Sequence, residues 1–266
     1  MVATELSLSD KVAVITGAAQ GIGKAIAQVF ATAGAKVVVS DVQREKGQAT
    51  AEELGVPAVF VPCDVSNAGE VRALVAAVVE QYGRLDILVN NAAYNPVKPE
   101  ERTTIDAYPE DVWLKVMDVD INGTFYCSKA AAVQMIAQEA GCIINIASTS
   151  GVVALRNQVS HVTAKAAIVQ MTKAMALELS PHGIRVNSIS PGSTVTEATR
   201  ALFYGEDAGL KEYVRKFMTF IPLGRPAEAI EIGQAALYLA SDVSAYINGH
   251  NLVVDGGWTC GFTRNF

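Results

Sequence analysis

Seven short runs of nearly continuous apolar residues punctuate the chain: 11–16, 36–41, 58–62, 86–90, 142–147, 184–189 and 252–255. Lys11-Val-Ala-Val-Ile-Thr16 and Lys36-Val-Val-Val-Ser-Asp41 are typical. None alternates apolar with polar, so each reads as a strand covered on both faces, as in a parallel sheet. Between them lie stretches with helical spacing, about 22–33, 44–54, 67–82, 110–138, 160–180 and 226–240. Strands alternating with helices predict right-handed crossover units and an α/β, doubly wound, seven-stranded parallel sheet. Nothing in composition breaks the chain, so 1–266 is expected to be a single domain. The least regular stretch, about 193–225, is expected to form a helical cover over the site.

The first run is followed at once by Thr16-Gly17-Ala-Ala-Gln-Gly21-Ile-Gly23. Glycines at a strand-to-helix junction allow a tight turn and let the backbone approach a pyrophosphate, while the helix aims free N–H groups at the anion. Gly17, Gln20, Gly21, Ile22 and Gly23 are therefore candidate cofactor contacts. The second run ends at Asp41, 24 residues after Gly17. A carboxylate there accepts from both hydroxyls of an adenosine ribose and repels a 2′-phosphate, which favours NAD. Arg44 nearby is the one feature that speaks for a phosphate.

These motifs, with four others, resemble the short-chain dehydrogenase/reductase family over essentially the full chain. The others are Cys63-Asp64-Val65, Asn90-Asn91-Ala92-Ala93, Asn187-Ser-Ile-Ser-Pro191-Gly192-Ser-Thr194-Val-Thr196, and Asn248-Gly249 with Asp255-Gly256-Gly257. The resemblance implies a Rossmann fold. It places Asp64 and Val65 near adenine, Asn91 and Ala92 along the cofactor, and Pro191, Gly192, Thr194 and Thr196 at its nicotinamide end. It also implies hydride transfer between nicotinamide and a carbinol or carbonyl carbon, the hard chemistry residing in the cofactor. In the family a Tyr-x-x-x-Lys pair handles the proton, a Ser 13 residues earlier orients the substrate oxygen, and an Asn supports a water chain to the Lys. The Lys also holds the nicotinamide ribose hydroxyls, which makes Lys165 a cofactor contact as well.

Here Ser148 and Lys165 match, but the tyrosine position, 13 residues after Ser148 and four before Lys165, is His161. Asp120 stands at the asparagine position, in Val119-Asp120-Ile-Asn122-Gly-Thr-Phe125, and Asn122 would face another way on a helix. His161 and Lys165, spaced i and i+4, share a helix face, so the ammonium disfavours imidazolium. Asp120, if close, would favour the cationic forms of both, and Asp120–His161–Ser148 could form an acid–base relay. Three readings stay open. The chain is an NAD-dependent oxidoreductase in which His161 replaces the tyrosine as acid/base, acting on a secondary alcohol or ketone of polyol, sugar-like or small cyclic type. Alternatively, it runs hydrolase, lyase or isomerase chemistry with NAD bound, or it is a catalytically silent NAD-binding protein or a substituted form of an active parent.

Charge changes the picture by exclusion. Lys+Arg is 21 against Asp+Glu 27, a formal charge of −6, without a basic run. Such a chain has no general attraction for nucleic acid or anionic lipid. Neither a secretory leader nor a spanning helix is read from the sequence. The cysteines Cys63, Cys127, Cys142 and Cys260 are scattered, which fits reduced thiols in the cytoplasm and no metal site. The pocket for a small-molecule substrate is expected near 94–99, 149–158 and 193–218, with Tyr94, Asn95, Arg156, Asn157, Gln158, Tyr204 and Trp258 on its walls. Small faces at Ala130–Ala132 and Ala164–Ala167, together with the resemblance, imply a homotetramer.

Overall fold

The structure is a computed structural model that describes residues 6–55, 57–205 and 208–261. Strand β1 (Val12–Thr16) leads into helix α1 (Gly21–Thr32), followed by β2 (Lys36–Asp41), α2 (Arg44–Leu54), β3 (Val59–Pro62), α3 (Ala68–Tyr82) and β4 (Ile87–Asn90). Helix α4 (Glu110–Val116) runs through a π-helical turn (Met117–Asn122) into α5 (Gly123–Gln138), then β5 (Gly141–Ile146), α6 (Val159–Leu179) and β6 (Ile184–Pro191). The chain ends with β7 (Thr194–Val195), α7 (Arg200–Tyr204), α8 (Ala208–Met218), β8 (Ala227–Glu228), α9 (Ala229–Ala240) and β9 (Asn251–Val254).

Seven strands form one parallel sheet in the order β3-β2-β1-β4-β5-β6-β9, a single-domain Rossmann fold. The chain winds outward from β1 to one edge, returns, and winds outward from β4 to the other. The connections after β1 and β4 therefore depart to opposite faces, and the crevice between them is where such folds bind ligands. The strands are apolar throughout because both faces are covered. Ala13 and Ile15 of β1 pack with Ile26 and Phe30 of α1 and with Ile232 and Leu239 of α9. Val12 and Val14 point the other way, toward Leu74 and Val78 of α3, Met135 of α5 and Leu179 of α6. Each fully buried Val, Ile, Leu, Phe or Met among them contributes about 1.5–3 kcal/mol through removal from water.

Strand positions agree with the sequence reading to within a residue or two, and two local features do not follow from it. The stretch expected as one helix over 110–138 begins at Glu110 but is interrupted by the π-helical turn, which adds a residue to the winding and re-aims Asp120. A second, two-stranded sheet pairs β7 with β8 and pins both ends of the 193–225 stretch, within which α7 and α8 are the expected helices. Residues 1–5, at the start of the stretch read for a leader, and 206–207 within the expected cover lie outside the described residues. Among the described residues no helix is long and apolar enough to cross a membrane.

Candidate active site

The loop after β1 is shaped by close approach. Gly17 has φ +62°, and a Cβ on it would sit 2.7 Å from Ala92 Cα. A Cβ on Gly23 would sit 2.3 Å from the carbonyl oxygen of Gly17. Only glycine permits that turn against the loop after β4. The two loops are then bonded together. Thr16 Oγ1 accepts from the N–H groups of Asn91 and Ala92, both at 3.1 Å. Asn91 Nδ2 donates to the carbonyls of Thr16 and Gly17 at 3.0 and 2.8 Å. Asn91 thus acts first as the tie that holds the glycine loop.

Beside these loops lies a cleft of about 540 Å³. Of the residues read from sequence as cofactor contacts, Gly17, Gln20, Gly21, Ile22, Asp41, Asp64, Val65, Asn91, Ala92 and Thr196 line it. Gly23, Lys165, Pro191, Gly192 and Thr194 do not. Gly23 is buried under the loop, Pro191 closes β6, and Thr194 is buried with its hydroxyl donating to the Gly192 carbonyl at 3.0 Å. Asp41 is buried at the end of β2, its carboxylate accepting from the N–H groups of Ala19 at 3.0 Å and Gln43 at 2.9 Å. Glu197, Lys115 and Val119 also line the cleft and were not anticipated. Glu197 reaches across 176 residues of sequence to accept from the Gly21 N–H at 2.9 Å. No local spacing foretells that contact. Lys115 has its ammonium 4.1 Å from the centre of the Tyr94 ring.

The candidate catalytic side chains come from three elements. Ser148 follows β5 and starts the turn Thr149–Gly151, its Oγ accepting from the Ser150 N–H at 3.1 Å. That bond uses a lone pair and leaves the hydroxyl proton available. Asp120 is fully buried in the π-helical turn. Its Oδ1 accepts from the Tyr94 N–H at 2.8 Å, and its Oδ2 lies 3.1 Å from Lys165 Nζ. Lys165, buried on α6, also donates to the Ile146 carbonyl at 3.3 Å. Asn122 faces elsewhere and bonds Asp118 at 2.9 Å.

His161 lies one turn before Lys165 on α6. Its Nδ1 is sealed from solvent without a hydrogen-bond partner, against a void lined by Pro96, Glu101, Arg102, Tyr108, Asn157 and Gln158 that is too narrow for a water molecule. Burial, then the charges of Lys165 and Arg102, push its pKa down to about 3. The imidazole is therefore neutral across the physiological range. A sealed N–H without an acceptor is the rarer arrangement, so the proton belongs on Nε2. The carboxylate that the sequence offered to the imidazole serves the lysine and the Tyr94 N–H instead. The described hydrogen bonds do not join Asp120, His161 and Ser148 into a relay.

The substrate-wall residues divide. Tyr94 and Asn95 line the cofactor cleft. Arg156 and Asn157 line an open groove of about 320 Å³ with Thr103 and Thr104. Gln158 faces the void at His161, and Tyr204 is exposed on α7. Trp258 packs edge-on against Phe217 at 6.1 Å between ring centres.

A sequence profile described as Enoyl-(Acyl carrier protein) reductase matches residues 17–259. The chain belongs to the short-chain dehydrogenase/reductase family. It is 40% identical to trans-4-hydroxycyclohexanecarboxylate dehydrogenase of Sinomonas cyclohexanicum, over 96% of this chain and 95% of that protein. It is 35% identical to the NAD-dependent glycerol dehydrogenase of Listeria innocua, over 96% of each. A solved gluconate 5-dehydrogenase from Burkholderia cenocepacia, in complex with NADP and tartrate, superposes with a TM-score of 0.88 at 34% identity, covering 97% of this chain and 98% of that one.

As a short-chain dehydrogenase/reductase the chain is an oxidoreductase enzyme whose relatives act on alcohols and polyols. Its residues fit a nicotinamide dinucleotide. The glycine loop is held open to the cleft by Thr16 and Asn91, and the Gly21 N–H already takes an anionic oxygen, that of Glu197. A carboxylate bound there by the chain itself demonstrates what a helix N-terminus offers a phosphate.

Proposed function

We propose that the chain is an NAD-dependent oxidoreductase interconverting a secondary alcohol and its ketone, of polyol or small cyclic type, with His161 at the acid/base position. When bound, the nicotinamide supplies or takes up the hydride. Asp41 supports NAD over NADP, because its buried carboxylate faces the cleft and a second negative charge beside it would be repelled. Arg44 does not line that cleft.

The observation that carries the reading is the pairing of an intact glycine cradle with a buried Asp120–Lys165 ion pair, joined through Tyr94. Tyr94 lines the cleft while its N–H is fixed by Asp120. Lys165 is held against Asp120 and the Ile146 carbonyl although the tyrosine it serves elsewhere in the family is missing. The Ser148 hydroxyl and the Nε2–H of neutral His161 act as the two donors to the substrate oxygen. Donors aimed at an oxygen that carries negative charge in the transition state lower the barrier to hydride transfer in either direction. A neutral imidazole with so low a pKa is a weak base, so its Nε2–H serves as a hydrogen-bond donor to the oxygen, and the proton that completes the alcohol on reduction, or leaves it on oxidation, is exchanged with solvent water. The relay reading lacks such support, since Asp120 is committed to Lys165 and Tyr94.

The test follows absorbance of reduced nicotinamide with hydroxycyclohexanecarboxylates, glycerol, tetritols and their ketones, using NAD and NADP cofactors separately. Turnover of one substrate class with the NAD pair supports the proposal. Silence of the native chain with both cofactors, together with turnover by His161→Tyr/Asp120→Asn, rejects it. We further propose a cytoplasmic homotetramer. Phe125 and Val133 on α5 expose apolar side chains along a groove between α3 and α5, and sedimentation of a stable monomer would reject that assembly.

A further inference from the structure

We infer that Glu197 is an internal competitor for the phosphate cradle and sets how tightly the chain holds its dinucleotide. This rests on the reading that the cleft binds a nicotinamide dinucleotide. Helix α1 begins at Gly21, and its N-cap residue, Gln20, makes no side-chain capping bond. The free amide of Gly21, the first residue of the helix, is taken by Glu197 Oε2 at 2.9 Å. The carboxylate is delivered by a built turn. Thr199 Oγ1 donates to the Thr194 carbonyl at 2.7 Å and accepts from the Thr196 N–H at 2.8 Å. That turn places Glu197 between β7 and α7, at the entry to the covering segment.

The chain therefore lays two of its own carboxylates on one loop, Asp41 on the Ala19 N–H and Glu197 on the Gly21 N–H. Asp41 is buried and fixed at a strand end, whereas Glu197 is exposed at the cleft. Lys24 of α1, which shares a small pocket with Glu197, is ion-paired with Glu53 at 2.6 Å. A pyrophosphate and the Glu197 carboxylate cannot both accept from one N–H, and their like charges repel. Cofactor binding must displace the carboxylate, and its affinity is reduced by the stability of that contact.

Titration of native chain and Glu197→Gln with NAD by calorimetry decides the matter, with adenosine and inorganic pyrophosphate as companion probes. The amide keeps the shape and an acceptor oxygen but drops the charge. NAD and pyrophosphate should bind Glu197→Gln more tightly, by about two- to fivefold at low salt, from the size of charge effects at exposed helix N-termini. Adenosine, which brings no phosphate, should bind both forms alike. Equal or weaker binding of NAD and pyrophosphate by the variant overturns the inference. An equal gain for adenosine also overturns it, since the effect would then not lie at the phosphates. If NAD binds to neither form, the dinucleotide reading itself fails, and the inference falls with it.

Discussion

Replacing His161 by Phe should make the fold less sensitive to acid. The imidazole has a pKa near 6.5 in an unfolded chain and about 3 in the folded one. The native state therefore binds fewer protons than the unfolded state between those values, and stability is lost as pH falls through that window. The whole window corresponds to a ceiling of about 5 kcal/mol, at 1.36 kcal/mol for each unit. Stopping at about pH 4.5 spans two units below the unfolded value, which gives roughly 2–3 kcal/mol. Lys165 and Arg102 supply part of the shift, but burial is its leading cause, so added salt should remove only a fraction of the effect. The assay is urea unfolding of both proteins at about pH 7.5 and about pH 4.5, at one protein concentration, comparing the stability each loses. Carboxylates titrate in both proteins and cancel in that comparison. The native chain should lose roughly 2–3 kcal/mol more than His161→Phe. Equal losses would show that the imidazole takes up its proton in place, with Asp120 or water reaching it, and would refute the neutral-donor role.

Four further substitutions follow from the same geometry. Asp120→Ala should cost about 3–5 kcal/mol in urea unfolding, because it leaves the buried Lys165 ammonium uncompensated, and Asp120→Ala/Lys165→Met should recover much of that loss. Ser148→Ala should lower turnover by about a hundredfold or more through loss of one donor to the substrate oxygen, while its lost turn cap costs only about 1 kcal/mol in unfolding. Ser150→Ala should leave turnover within a few-fold of native. Arg156→Ala should raise KM for carboxylate-bearing substrates and leave neutral polyols unchanged, since the guanidinium lies exposed in the groove beside Thr103 and Thr104; equal KM values for both classes would remove it from recognition.

The sheet was legible because parallel strands are covered on both faces, and a run such as Val12-Ala-Val-Ile leaves few other places to sit. The glycine loop was legible for a related reason, since close backbone approach excludes every other side chain at Gly17 and Gly23. The π-helical turn was not. It depends on how one added residue is absorbed by the packing of α4 and α5, and Gly123 fits there because a Cβ would meet Val65 Cγ2 at 2.7 Å. Glu197 escaped notice because its partner is 176 residues away and carries no side chain to signal the contact.

The same distinction governs the catalytic group. Spacing gave the shared face of His161 and Lys165, and it identified Asp120 as the altered partner. Spacing could not decide which cation the carboxylate would choose. That choice is fixed by burial. An ammonium sealed inside the protein needs a charged partner more than an imidazole does, because the imidazole can shed its proton and the lysine cannot do so as cheaply. Once Lys165 holds Asp120, that carboxylate is not spent on an imidazolium at His161, and burial with the charges of Lys165 and Arg102 keeps the ring neutral. The two departures from the family pattern are therefore linked. Converting Asp120 to Asn should leave Lys165 more tightly dependent on the Ile146 carbonyl and lower the stability of the pair. Converting His161 to Tyr should place a phenol beside an ammonium already neutralised by Asp120, so the phenol gains less acidity than it would next to an asparagine. Turnover of His161→Tyr alone should accordingly trail that of His161→Tyr/Asp120→Asn, with the pH profile of the single variant displaced upward. Coincident profiles would break the link between the two positions.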